Sequence, residues 1–413
     1  MSGANAAASS DRLPGVDVLR AAAALLVLVC HVMDISNWEA GGLALAIGQM
    51  GRRLFLVLSG FLLFLPYARA AYGRGRRVGM AEYALKRALR LLPLYVTAVL
   101  AFALLGFVRG WPANGKNLLY HLLFIHTYDK STFFGLAGPL WFIAVIAHWY
   151  VLLPFVGWVW LKLKHRLVVW AAATFVLVAA HALVWARPPL APDAFRRIVD
   201  KGFLGALPFF FAAMTAAAYF VRARWRAGFA ARPLPIAWAS ASALLLIGVL
   251  VMLRWQVGHH LSPLILSAVV VGFGFSSAGG SLLAPVRSFG RMSYSVFMWH
   301  TPVLIGLSWL NIFWRIESGP LRMTLMFVAA LPPVLLASYV SYRLLERPFI
   351  GLRIAVPQRA LVRIAAGYTC VVLASAVLFA SGKPRSSGTP EPVAEKHAEA
   401  HRAPGSSYSG ASR

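Results

Sequence analysis

Apolar stretches alternate along this chain with short polar or basic segments, and many are long enough to cross a bilayer, about 17–25 residues each. In hydrocarbon no water satisfies open backbone groups, so such stretches must be helices. The pattern predicts spans from Val16 to Ile35, Leu54 to Tyr67, Leu91 to Val108, Leu140 to Leu161 and Leu167 to Trp185. It continues with Phe203 to Val221, Leu234 to Leu253, Leu261 to Ala278, Met292 to Ile312 and Leu321 to Leu345. An eleventh is expected from Leu361 to Ala380. The second span is short and interrupted by Ser59-Gly60, and Leu118 to Ile125 reads as a re-entrant or interfacial stretch. The expected fold is all-α, a polytopic transmembrane bundle of ten core spans plus the eleventh. Residues 1–12 form a short N-terminus, 13–350 the membrane domain and 351–380 an amphipathic link with the last span. Residues 381–413, rich in Ser, Gly, Pro and charge, read as a disordered tail outside the membrane.

Composition sharpens this picture. With 60% apolar and 13% charged residues, the chain is no soluble globe. The net charge of +27 invites a nucleic-acid reading, but the 40 basic residues fall in clusters between spans rather than in one stripe. Membrane topology accounts for that distribution, and the partner it implies is a lipid bilayer, with no nucleic acid. The block holding Arg69, Arg74, Arg76, Arg77, Lys86, Arg87 and Arg90 places its loop, and with it the N-terminus, in the cytoplasm. No basic region precedes the first span and no small-residue cleavage site follows it, so it reads as a retained anchor. Cys30 and Cys370 both fall in apolar spans, which argues against a disulfide framework.

The first span carries costly groups. Arg20 and His31 are eleven residues apart, three turns plus about 20°, so they share a face about 16 Å apart along the axis. Two ends of one long ligand fit that spacing. Asp34 lies on the same face, where it would orient the imidazole. Snorkelling of Arg20 and a simple interhelical bond at His31 are the bland alternatives, but three ionisable groups on one buried face point to use. Farther on, Arg87 and Arg90 are three apart and present two guanidiniums suited to phosphate oxygens, against ordinary positive-inside anchoring. Ser59-Gly60 equally suits close helix packing, Glu346 between Arg343 and Arg347 equally suits an interfacial pair, and His300 suits a bond to a neighbouring span.

Six stretches in order resemble one family: LPGVDVLRAAAALLVLVCHV, FLVLSGF, RALRLLP, PLWFIAVIAHWYVLLP, FGRMSYSVFMWHTPVL and SYRLLERPF. The chain resembles the membrane acyltransferase-3 family, which O-acylates sugars of bacterial surface polysaccharides, peptidoglycan and some secondary metabolites. The resemblance covers most of Leu13 to Phe349. It implies that His31 is catalytic, that Arg87 and Arg90 serve an acyl-CoA donor, and that Ser59, Trp141 and Glu346 are substrate or structural supports. Location in a bacterial plasma membrane follows from the same likeness. Two departures stand out: the family's fourth-span serine and glutamate are Phe142 and Ile146 here, and an often acidic position is Arg53. Both bear on the acceptor more than on the reaction.

The expected activity is transfer of an acyl group, most simply acetyl, from cytoplasmic acyl-CoA to a carbohydrate hydroxyl. His31 is the base, Asp34 orients it, and Arg20, Arg87 and Arg90 hold the donor. No metal or further cofactor motif is present in the sequence. The rival reading is a transporter or flippase for a lipid-linked sugar, with Arg20 and His31 lining its path.

Overall fold

A computed structural model describes residues 13–38, 43–73, 75, 79–108, 115–129, 131–186, 201–226, 240–241, 243–244, 247–248, 256–275 and 281–350. Every regular element among them is helical. The long helices are α1 (Pro14–Ile35), α2 (Leu43–Ala71) and α3 (Met80–Val108). A short α4 (Gly115–Leu122) and a 3₁₀ turn (His126–Tyr128) lead to α5 (Leu140–Lys162), α6 (Arg166–Ala186) and α7 (Phe203–Arg226). Then come α8 (Gln256–Phe275), α9 (Ala284–Arg291), α10 (Ser293–Ser308) and α11 (Gly319–Ser341). A π-helical turn (Tyr342–Glu346) and α12 (Arg347–Ile350) close the described chain.

Seven helices among the described residues are long and apolar enough to cross a membrane: α1, α2, α3, α5, α6, α7 and α11 with its extension. The described bundle is therefore all-helical and multi-pass, and the expected count of ten core spans is not confirmed among the described residues. One expected span is shorter, with α10 ending at Ser308 rather than Ile312, while α8 runs from Gln256 to Phe275 and the expected last residues of that span, 276–278, lie outside the described ones. The expected span from Leu234 to Leu253 lies largely outside the described residues, and the eleventh span and the tail lie wholly outside them.

The largest revision concerns the second span. The helix is continuous from Leu43 to Ala71, and Ser59-Gly60 does not break it. Gly60 is instead a point of close approach to α7, where a Cβ would sit 2.9 Å from the Ala213 Cβ. Small residues let helices approach in this way where lipid offers no hydrophobic push. The span also starts earlier than expected because Arg52 and Arg53 lie within it. Arg53 is buried, donating to the Ser262 hydroxyl at 3.4 Å and lying over the Phe209 ring.

Helix α1 sits inside the bundle, packed against α2, α8, α9, α10 and α11. A Cβ on Gly290 of α9 would fall 1.8 Å from the Asp17 carbonyl oxygen, so only glycine allows that contact. On the other side, α2 packs against α7 across an aromatic core in which Trp149 stacks on Phe210 at 4.1 Å and Phe64 meets Trp160 and Trp170. Aromatic pairs at these separations hold orientation as well as buried area.

Candidate active site

One cavity of about 290 Å³ opens between α1, α2, α3, α5 and α10. Its polar end is built by Arg20 of α1, Ser59 of α2, Arg87 and Arg90 of α3, Tyr150 of α5 and Tyr294 of α10. The two α3 arginines enter because that helix begins at Met80, eleven residues before the apolar run expected to start at Leu91. Residues three apart lie on one helix face, so both reach the same space. Four of the sequence-predicted residues, Arg20, Ser59, Arg87 and Arg90, thus come together.

The arginines differ in how they are held. Arg20 is 3.7 Å from Asp17, one turn back. The Arg87 guanidinium lies against the rings of Tyr83 and Tyr150, at 5.4 and 6.0 Å. Its Nε is buried with no hydrogen-bond partner among the described residues. Buried donors of that kind are rare, and an orphaned one beside a cavity is ready for an acceptor. Glu346 supplies opposite charge behind the arginines: it is fully buried, its Oε1 accepts a short hydrogen bond from the Ser295 hydroxyl, and Arg90 and Arg20 are the cations that act on it. The π-helical turn delivers Glu346 to that position, a widening often found at functional sites. Tyr294 is fixed by donating to the Leu91 carbonyl at 2.9 Å.

The rest of the wall is apolar. Phe55, Phe142 and Phe297 line it and touch one another, with ring centroids 5.5 to 6.3 Å apart. Phe142 and Ile146, where the resemblance leads one to expect serine and glutamate, both line this same arginine cavity. The departures therefore alter the chamber that holds the cations.

His31 is not among the residues that line the cavity. It lies farther along α1, half-buried, and its ring stacks in parallel on His300 of α10 at 5.0 Å with 8° between planes. Phe297 connects the two places, lining the cavity on one side and packing 5.6 Å from the His300 ring on the other. Asp34 is exposed at the end of α1, and its charge acts on the imidazole through space. Trp141 stands off the cavity at the start of α5, under the Arg52 guanidinium at 5.3 Å. Sequence reasoning missed Tyr150, Phe297 and Ser295 as members of this region. All three fall inside stretches that carry the family resemblance, which was the available signal.

A second polar cluster surrounds α4, outside the spanning helices. His121 and His126 are fully buried and stack at 3.8 Å. Burial pushes the His121 imidazole down to about 4, against a hydrogen bond to the Asn117 carbonyl, and pushes His126 well below its ordinary range, with His121 and His148 adding to the effect. Nearby, burial raises the Asp129 carboxyl, but hydrogen bonds from Lys116 at 2.5 Å and from Ser131 outweigh it and hold it below its usual value.

An apolar multi-helix bundle in which three guanidiniums line one chamber defines a multi-pass membrane protein. A family profile described as an acyltransferase domain matches residues 13–343, and the chain belongs to that family. A relative from Bacillus subtilis (strain 168), named "Putative peptidoglycan O-acetyltransferase YrhL", is 31% identical over 191 residues. That match covers 42% of this chain and 28% of the relative, so the chain aligns with under a third of the relative's length. No solved structure matches.

Proposed function

We propose that the chain transfers an acyl group, most simply acetyl, from acyl-CoA to a hydroxyl of a carbohydrate acceptor. The observation that carries this reading is the convergence of Arg20, Arg87 and Arg90 on one cavity within the bundle. Coenzyme A brings a pyrophosphate and a ribose phosphate, and planar guanidiniums pair with phosphate oxygens through parallel N–H donors. The thioester, at the end of a long flexible arm, then extends along α1 toward His31.

There the imidazole takes the proton of the acceptor hydroxyl as its oxygen attacks the thioester carbonyl. The C–O bond forms, the C–S bond breaks, and the proton held by His31 passes to the departing thiolate. Asp34 favours the charged imidazole formed on the way. The relative's name makes peptidoglycan a first acceptor to try. The arginine end faces the cytoplasm of a bacterial plasma membrane in this reading, where acyl-CoA is available.

The test is ester formation from labelled acetyl-CoA in membranes that carry their own glycans. His31→Ala abolishes alkali-labile label in the glycan fraction. Full labelling by His31→Ala, or cargo movement with no covalent product, refutes the proposal and returns the transporter reading.

A further inference from the structure

We infer that His300 is a positioning residue for the His31 imidazole, an inference that rests on the acyl-transfer reading above. His300 is 1% exposed and is pinned at both nitrogens on its own helix. Its Nδ1 lies 3.2 Å from the Val296 carbonyl, one turn back, and its Nε2 lies 3.1 Å from the Thr301 hydroxyl. A carbonyl only accepts, so Nδ1 carries the proton and Nε2 takes the threonine hydrogen. Both ring nitrogens are then occupied. His300 therefore has no lone pair to offer a substrate and presents only its flat face.

That face is where His31 rests, 8° from parallel with centroids 5.0 Å apart. Rotation of an imidazole about its last side-chain torsion is broad and poorly restrained by itself. A parallel ring lets the imidazole slide in its plane but resists tilting, so the plane in which the His31 nitrogens lie is fixed from outside α1. Asp34 is exposed and contributes charge. His300 contributes the ring plane, and Phe297 between it and the cavity ties that plane to the chamber's wall.

Four variants separate this role from others: His300→Phe, His300→Leu, Thr301→Val and, as control, His31→Ala. Each is assayed for kcat and donor KM with labelled acetyl-CoA in glycan-bearing membranes, and for melting temperature in detergent. His300→Phe keeps a flat face and retains kcat within about threefold, while His300→Leu, similar in bulk but not planar, loses on the order of 100-fold in kcat. Donor KM stays within about twofold in both, since the arginines are untouched. Thr301→Val frees the His300 Nε2 and lowers kcat less than His300→Leu does. Wild-type kcat in His300→Leu overturns the inference. So does loss of kcat in His300→Phe equal to that in His300→Leu at unchanged melting, which would assign the role to the nitrogens. Full activity in His31→Ala instead removes the acyl-transfer reading, whatever the His300 variants do.

Discussion

Arg87 has the most demanding environment of the cavity cations. Two tyrosine rings hold its guanidinium, and its buried Nε has no partner among the described residues. A donor phosphate that accepts from that fork forms a charge-assisted bond worth roughly 1.5–3 kcal/mol, and lysine cannot reproduce it because its ammonium is a point charge. Arg87→Ala is therefore expected to raise donor KM by about 10- to 100-fold, and Arg87→Lys to recover only part of that. The measurement is donor KM in the ester assay with kcat followed alongside. A drop in kcat at unchanged KM would place Arg87 outside donor binding. This residue was legible in the chain because its signal is local: Arg87 and Arg90 three apart on one helix, Arg20 on another. His300 was noticed as a residue suited to a bond with a neighbouring span, but its stack on His31 was not legible, because a contact between α1 and α10 leaves no trace in the spacing of either. Phe142 and Ile146 were noticed as departures and attributed to the acceptor. Only the packing of α5 beside α3 puts them in the chamber with the arginines.

At the scale of elements, polar residues inside apolar helices were the main source of misreading. Arg52 and Arg53 pushed the expected start of the second span to Leu54, since a charge in hydrocarbon usually ends a span, yet Arg53 is buried against Ser262 and Phe209 within α2. Ser59-Gly60 was read both as an interruption and as a place of close helix packing, and the approach to Ala213 of α7 within a continuous helix favours the packing. The stretch read as re-entrant or interfacial forms the short α4 and the turn after it, and its two stacked histidines carry a pH dependence. Burial lowers both, to about 4 for His121, so the folded segment keeps them neutral where the unfolded one binds protons near pH 6.5. Their stabilising contribution is complete above about pH 6.5 and shrinks as pH falls toward 4, by at most about 1.4 kcal/mol per histidine per pH unit. Amide exchange in residues 115–129 is expected to accelerate between pH 7 and pH 5 once the intrinsic exchange rate is divided out. A double variant, His121→Gln with His126→Phe, is expected to flatten that dependence. Equal slopes in the two proteins would mean that other groups set it.

For the whole molecule, interhelical contacts decide which helix ends share a side. The start of α1 meets the end of α8 through Gly15 and Phe273 and meets α9 through Asp17 and Gly290. The end of α2 meets the start of α6, where Arg166 donates to the Ala71 carbonyl at 3.1 Å. At the opposite end, Arg322 of α11 donates to the Ser36 carbonyl just past α1 at 2.8 Å. The sides alternate as the order of spans requires, while the outer surface shows lipid-ready side chains such as Leu104, Phe107 and Phe175. Arg20, Arg87 and Arg90 lie in the half near the α1 start, which also holds Lys86 and Arg166, and the proposed orientation puts that half in the cytoplasm. Acyl-CoA cannot cross a bilayer unaided, so the proposed function and the positive-inside rule ask for the same orientation. Single cysteines test it in a Cys30→Ala, Cys370→Ala background: Gly75→Cys, between α2 and α3, and Ser131→Cys, between α4 and α5. An impermeant maleimide added to intact cells is expected to label Ser131→Cys and to reach Gly75→Cys only after the membrane is opened. Labelling of Gly75→Cys in intact cells would put the arginine chamber on the side without acyl-CoA, and the donor assignment would fall with it.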